Sequence, residues 1–300
     1  NTLVGYASAA ETERAVKEDV TTANLNLFTD AWDDIRIRLT AVEQAYNNFQ
    51  IQQVQRGGHV TAEDKQALRD QLAELEETLN GHLCREYGKN PNKPKEYANW
   101  KKGHKPFHWY VDFYPIMAAG GFDVIIGNPP WVEYSKARKV YTVNGYKTEQ
   151  GGNLYCFCTE RGFALSSSNG YFSFIVQLPV VCSARMASVR EVMRNASRQL
   201  WVSTFDDRPG RLFEGLQHCR STIFMAKRGE GRCSTFTTRY HRWPTACRNT
   251  LFTNVLYLAE ADSADPTRIV TKHASDHSRA VFGKVALCGK TLGFFRSRRV

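Results

Sequence analysis

The feature that most constrains this chain is the decapeptide FDVIIGNPPW, residues Phe122 to Trp131. Val124-Ile125-Ile126 are β-branched and favour extended backbone. Gly127 closes the run, and Pro129-Pro130 follow with φ fixed and no N–H to offer a ladder. A strand must therefore stop at Gly127, and the loop beyond it must be stiff. The run lacks the polar alternation of a half-exposed strand, which predicts burial on both faces, as in a parallel sheet. In open α/β sheets, ligands bind at the carboxyl ends of such strands.

The surrounding sequence supplies neighbours for that strand. Leu154–Leu165 and Ala184–Gln199 read as helices. Gly170–Val176, Leu200–Phe205 and Ser221–Ala226 read as strands, as does the aromatic stretch Phe107-His108-Trp109-Tyr110-Val111. Helix and strand alternate, so the centre of the chain is expected to be α/β with a largely parallel sheet. Upstream, apolar residues between 8 and 50 recur at three- and four-residue steps, and Leu68, Leu72, Leu75 and Leu79 mark one face of a further helix beginning after Thr61. Residues 88–106, rich in Lys, Asn, Pro and Gly, read as an exposed loop. Residues 231–300 show no clear period.

The 300 residues carry a formal charge of +10, unevenly placed. Residues 184–248 hold 13 Lys/Arg against 5 Asp/Glu, and residues 281–300 hold 5 Lys/Arg and no acid. A basic second half suits a polyanionic partner and suits a solvated basic surface equally. On helix 184–199, Arg185, Arg190 and Arg194 recur at four- to five-residue spacing and could face phosphates. Arg239 and Arg242, interleaved with Tyr240 and Trp243, could do the same. The eight cysteines form no C-x-x-C pair, and no His stands at zinc-finger spacing, so the expectation is a reducing, cytoplasmic setting and no metal. No apolar stretch approaches the roughly 18 residues of a membrane span.

Asn128-Pro129-Pro130-Trp131 suits one chemical task. An exocyclic amine conjugated to an aromatic ring is a poor nucleophile, because its lone pair is delocalised. Two acceptors aimed at its two N–H bonds can draw the nitrogen towards sp³ geometry. The Asn128 side-chain oxygen and the Pro129 carbonyl are the acceptors available. The paired prolines hold them still, and positioning is much of such a reaction. Trp131 offers a face on which an extruded base could stack. A bare Asn-Pro-Pro-Trp would read as a turn. The preceding apolar strand and glycine favour a functional loop.

The segment resembles motif IV of the amino-methyltransferases, and GFDVIIGNPPW is similar to the adenine-N6 DNA methyltransferases of the large bacterial restriction and phage-defence type. Further matches follow in the family's order over most of residues 1–230. Asn1–Gly5 resembles the segment beside the cofactor's adenine. Gly152-Asn153-Leu154-Tyr155 resembles the motif V helix, Gly170–Ile175 the motif VI strand, and Phe205-Asp206 with Arg211–Gly215 the stretch around motifs VII and VIII. The resemblance implies a partial Rossmann-like, S-adenosylmethionine-dependent fold, with a helical insertion over 1–105, a catalytic core over 106–230 and the start of a target-recognition region from 231. It implies Asn128, Pro129, Pro130 and Trp131 as catalytic, Asn1, Asn153 and Tyr155 as cofactor-binding, and Phe213 or Phe224 as a second base-stacking ring. Double-stranded DNA and a restriction or phage-defence partner are the implied partners.

Three departures stand out. The glycine-rich Phe-x-Gly-x-Gly cofactor loop is missing, which together with the start at Asn1 suggests a fragment. The family's Ile-x-Pro after the motif VI strand is replaced by Ile175-Val176-Gln177-Leu178-Pro179. No ring near motif VIII is fixed by its spacing. Methylation of cytosine N4 or of a protein glutamine, and an inactive DNA-binding remnant, remain alternative readings.

Overall fold

The computed structural model describes residues 1–23, 28–55, 62–213, 219–261, 263–273, 275–278 and 280. The chain divides into two compact units, one of residues 1–122 and 134–146, the other of residues 123–133 and 147–300. The boundary thus falls within the start of the decapeptide strand rather than at residue 105.

The first unit is helical. α1 (Ala9–Ala23), α2 (Phe28–Gln55) and α3 (Ala62–Glu86) pack on one another. Val16, Ile35, Leu39, Val42, Leu75, Leu79 and Leu83 are buried between them, at the three- and four-residue steps that place side chains on one helical face. Ser8 and Glu11 cap α1 reciprocally: Ser8 Oγ accepts from Glu11 N at 3.2 Å, and Glu11 Oε2 accepts from Ala7 N at 2.7 Å. The expected loop over 88–106 contains a helix, α4 (Pro94–His104), with proline in its first turn and Trp100 buried.

The expected strand at 107–111 is instead α5 (Trp109–Asp112), followed by α6 (Tyr114–Ala118). His108 takes the N-cap position. Its Nδ1 accepts from Tyr6 N at 3.2 Å, so its Nε2 carries the proton and donates to Asn80 Oδ1, also at 3.2 Å. Helical spacing then stacks Trp109 on Phe113, with ring centroids 5.3 Å apart. Two backbone bonds still tie this segment to the chain start, Phe107 N to Val4 O at 2.8 Å and Tyr110 N to Tyr6 O at 3.3 Å, and the first brings the backbones close together. That approach requires glycine at residue 5, which has φ +130° and where a Cβ would lie 2.2 Å from Phe107 O. α7 (Tyr134–Ala137) also belongs to this unit.

The second unit is a mixed α/β sheet of six strands: β1 (Phe122–Gly127), β2 (Ser166–Gln177), β3 (Ser197–Phe205), β4 (Ser221–Arg228), β5 (Ser234–His241) and β6 (Leu258–Ala259). Their spatial order is β1-β2-β4-β3-β5-β6. β4 is antiparallel to both β2 and β3, and β3 is parallel to β5. β2, β3 and β5 therefore end at one edge. β1 ends there too, since Asp123 meets Ser167 at 3.3 Å near the start of β2 and Gly127 lies beside Phe174 near its end. α8 (Leu154–Leu165) and α10 (Ala187–Asn195) cover one face, and the short α9 (Pro179–Cys182) leads from β2 towards α10. Tyr155 and Phe163 of α8 and Val189 and Met193 of α10 are buried with Phe172, Val176, Leu200, Val202 and Phe224 of the sheet.

Two expectations change. β1 is an outer strand, and only its Ile125 packs against the core; Val124 and Ile126 are 63% and 79% exposed. Its unbroken hydrophobicity thus reflects no burial on both faces within this chain. Residues 234–241 extend the sheet as β5 rather than opening a separate region. The basic stretch 281–300 lies outside the described residues.

Candidate active site

The carboxyl edge of the sheet in the second unit gathers four loops. β1 delivers Asn128–Trp131, β2 delivers Gln177-Leu178-Pro179, β3 delivers Asp206-Asp207 and β5 delivers Arg242. Pro129 is buried and pins the first loop, whereas Asn128 and Pro130 are exposed. The Asn128 side chain has no hydrogen-bond partner among the described residues, so its amide is available to a ligand. Trp131 is half-buried. One side of the indole rests on the core, and Nε1 donates to Ile175 O at 3.3 Å, fixing the ring's rotation.

Phe213 stands edge-on to Trp131, with centroids 5.6 Å apart and planes at 83°. Phe213 follows Trp131 by more than eighty residues, and the fold brings these two expected stacking rings together. They touch, so a base stacked on the indole must move Phe213 aside. Phe224, the other expected ring, does not belong here. It is wholly buried, in edge-to-face contact with Phe172 at 5.3 Å, and offers no face to a base.

The loop after Trp131 is tied to α8. Leu154 N donates to Val132 O at 2.8 Å, and Asn153 Nδ2 reaches Glu133 Oε1 at 3.4 Å. Arg185 braces the junction by donating to Glu133 Oε2 and to Gln150 O, each at 3.2 Å. Its guanidinium lies against Gly152, which has φ +64° and where a Cβ would stand 1.6 Å from Nη2. Arg185 is thus engaged in positioning this loop rather than standing free.

The residues expected to hold a cofactor are otherwise occupied. Asn153 is buried and caps α8, its Oδ1 accepting from Tyr155 N at 3.4 Å. Tyr155 is fully buried, with its hydroxyl 3.7 Å from Met186 Sδ, and burial raises its pKa. Asn1 belongs to the first unit, where its Oδ1 accepts from Leu3 N at 3.3 Å.

Two of the expected phosphate-facing arginines are buried in the fold. Arg190 donates to the carbonyls of Val180, Ser183, Thr267 and Arg268. Arg194 donates to those of Pro266 and Arg268 and pairs with buried Glu260 at 3.3 Å. Both bind the segment 258–271 across α10, so neither reaches solvent. Arg239 and Arg242 are exposed.

A cavity of about 640 Å³ opens at the same edge, lined in part by Gln177, Asp206, Asp207, Arg208, Arg220 and Arg242. None of residues 128–131 lines it. Asp206 was absent from the expected site residues, though its signal was the one used for Asn128: a polar residue directly after an apolar strand. Burial by itself would raise its pKa; the Asp207 N–H at 2.8 Å and the Arg220 charge outweigh that and hold its carboxyl below the ordinary value. Among the described residues, no group of three or more His, Cys, Asp or Glu could hold a metal ion, and no helix is long and apolar enough to cross a membrane.

The fold and this edge define a class: an α/β chain whose sheet presents polar loops at the carboxyl ends of co-directional strands. Within that class, residues 17–209 match the Eco57I restriction-modification methylase model, and the chain belongs to that family. A protein of Methanocaldococcus jannaschii, named as a candidate type II restriction enzyme and methyltransferase, is 29% identical over 112 residues, covering 37% of this chain and 9% of that protein. The chain therefore spans a small fraction of that relative's length. Among solved structures, the DrdV–DNA complex aligns with 63% of this chain and 23% of its own, at 12% identity and TM-score 0.41. A protein from Listeria monocytogenes, named as a candidate class I S-adenosylmethionine-dependent methyltransferase, aligns with 39% and 37%, at 15% identity and TM-score 0.27.

Proposed function

We propose that this chain provides the acceptor side of a DNA methyltransferase of a restriction-modification system, acting on the N6 amine of an extruded adenine. The observation that carries the reading is the exposed Asn128 amide beside a half-buried indole whose rotation is fixed by Ile175 O. Asn128 and the Pro129 carbonyl accept from the two amine protons, and Pro129, buried, keeps the corner from yielding. Trp131 stacks the base, a contact worth on the order of 1–3 kcal/mol, which offsets part of the cost of extrusion. Phe213 swings from its edge contact to close the opposite side. Family membership and the M. jannaschii relative support the methyltransferase reading.

The donor in this proposal is S-adenosylmethionine, which supplies an electrophilic methyl group. The residues first assigned to it do not fit that role: Asn153 and Tyr155 point into the fold, and Asn1 bonds within the first unit. The described side chains thus serve the acceptor side alone.

Mass spectrometry of nucleosides from cells expressing the full chain tests the proposal. The expected product is N6-methyladenine, reduced about 10²–10³-fold in initial rate by Asn128→Ala, the scale for losing one preorganised hydrogen-bond partner. N4-methylcytosine in its place would move the acceptor to cytosine. No methylated base in DNA, with DNA binding retained, would favour the inactive remnant.

A further inference from the structure

Arg220, Asp206 and Arg242 form a row across three adjacent strand ends. In the sheet order β4-β3-β5, Phe205 at the end of β3 pairs with Ser221 on one side and His241 on the other. The next residues outward are therefore Arg220, Asp206 and Arg242. Backbone bonds fix this edge: Leu178 N to Arg220 O at 2.9 Å and Asp206 N to His241 O at 2.8 Å.

The Asp206 carboxylate, 9% exposed, lies between the two guanidinium groups. Its Oδ1 is 3.4 Å from Arg220 Nε and its Oδ2 is 3.3 Å from Arg242 Nε. Asp207 Oδ1 adds a second support 3.8 Å from Arg220 Nε. In every pair the nearest arginine atom is Nε. The Nη groups at the fork ends have no hydrogen-bond partner among the described residues, and the two side chains remain 60% and 70% exposed while lining the cavity.

As a stability device this arrangement is poor, because solvent screens the pairing of exposed arginines. As a binding device it is well made. Buried carboxylates orient both arginines before any ligand arrives, and a guanidinium fork matches two oxygens of a phosphate. Arg208 lines the same cavity.

We propose that the Arg220–Asp206–Arg242 row is a built phosphate clamp that grips one backbone phosphodiester of the DNA strand carrying the target base. The proposal rests on the DNA-acting reading above and deepens it. β1 and β3 are three strand spacings apart, roughly 14 Å, so the clamped phosphate lies within the same short stretch of strand as the base at Trp131. The clamp fixes the strand's register and carries no sequence information itself.

Fluorescence anisotropy of the full chain with labelled duplex DNA, over a range of salt, tests the clamp. In the Arg220→Gln/Arg242→Gln double variant, binding should weaken about tenfold at moderate salt. The slope of log affinity against log salt should shrink by about 1, the signature of one lost phosphate contact. Arg220→Lys/Arg242→Lys keeps the charge and loses the fork, so it should recover the slope more than the affinity. Both variants should stay folded, the glutamine variant melting slightly lower because Asp206 loses its two cations. An unchanged slope and affinity in the glutamine variant would overturn the clamp while leaving N6-methyladenine formation intact, which separates its failure from that of the function above. Inorganic phosphate or adenosine monophosphate protecting the site at low concentration, with DNA binding unaffected by the variants, would assign it to a free phosphate compound and overturn it. Absence of DNA binding by the native chain would overturn it as well.

Discussion

Arg194 and Arg242 are each paired with a largely buried carboxylate, and they have opposite fates. Arg194 on α10 is itself buried, and its Nη1 serves two backbone carbonyls while Nη2 meets Glu260. Arg242 approaches Asp206 through Nε and leaves its fork at the mouth of a cavity. Arg185 lies between these extremes, half-exposed, with Nε and Nη2 bracing the loop after Trp131. What a guanidinium does is decided by what meets its five N–H bonds, not by the spacing of arginines along a helix. A basic stripe in the sequence can thus be a fold-stapling device, while an Arg beside an acidic pair can keep its fork at a cavity mouth.

The comparison breaks most readily at α10. Arg194→Met leaves Glu260, 1% exposed, with one fewer cation and frees two carbonyls. Urea denaturation should show a loss of about 3–5 kcal/mol, the range for removing one partner of a buried pair. Arg242→Gln in the same assay should change stability by less than about 0.5 kcal/mol, as exposed substitutions do. Equal losses at the two positions would erase the distinction.

A smaller effect is expected at the intermediate site. Gly152→Ala forces a side chain into left-handed backbone, costing about 1–2 kcal/mol, and displaces Arg185 from Glu133. Thermal unfolding should register the strain. DNA-dependent methylation should fall further than stability explains, because Glu133 directly follows the Trp131 loop.

The smallest effect is in acid. Asp206 has a pKa below its ordinary 3.8, so its contribution is complete above that value and is lost as pH falls through the lower, folded value. Asp206→Asn should lower stability by a constant amount above about pH 4, and the difference from the native chain should close as pH falls below it. A difference confined to pH 6–8 would point to another group.

Much of the second unit was legible because its elements are set by local chemistry. The run 122–127 ends where glycine and proline require, and Leu154–Leu165 begins at Asn153, whose side chain caps it. The pairing of Trp131 with Phe213 was half legible: both rings were named, but Phe224 has the same composition and only the sheet register buries it. The segment 107–111 was misread because aromatic residues suit strand and helix alike, and the deciding partners, Tyr6 and Asn80, lie far off in sequence. The burial of Arg190 and Arg194 was hidden for the same reason, their acceptors standing some seventy residues downstream. The Arg220–Asp206–Arg242 row could not be seen without the strand order, which sets three distant residues side by side.

The most direct test is photocrosslinking of the full chain to a single-stranded oligonucleotide carrying 8-azidoadenine, with adducts mapped by peptide mass spectrometry. A single strand removes both the extrusion cost and the need to know a recognition sequence. The account predicts adducts on Trp131 or Phe213, reduced when unmodified adenine oligonucleotide competes. Adducts confined to surfaces remote from Asn128 would contradict it.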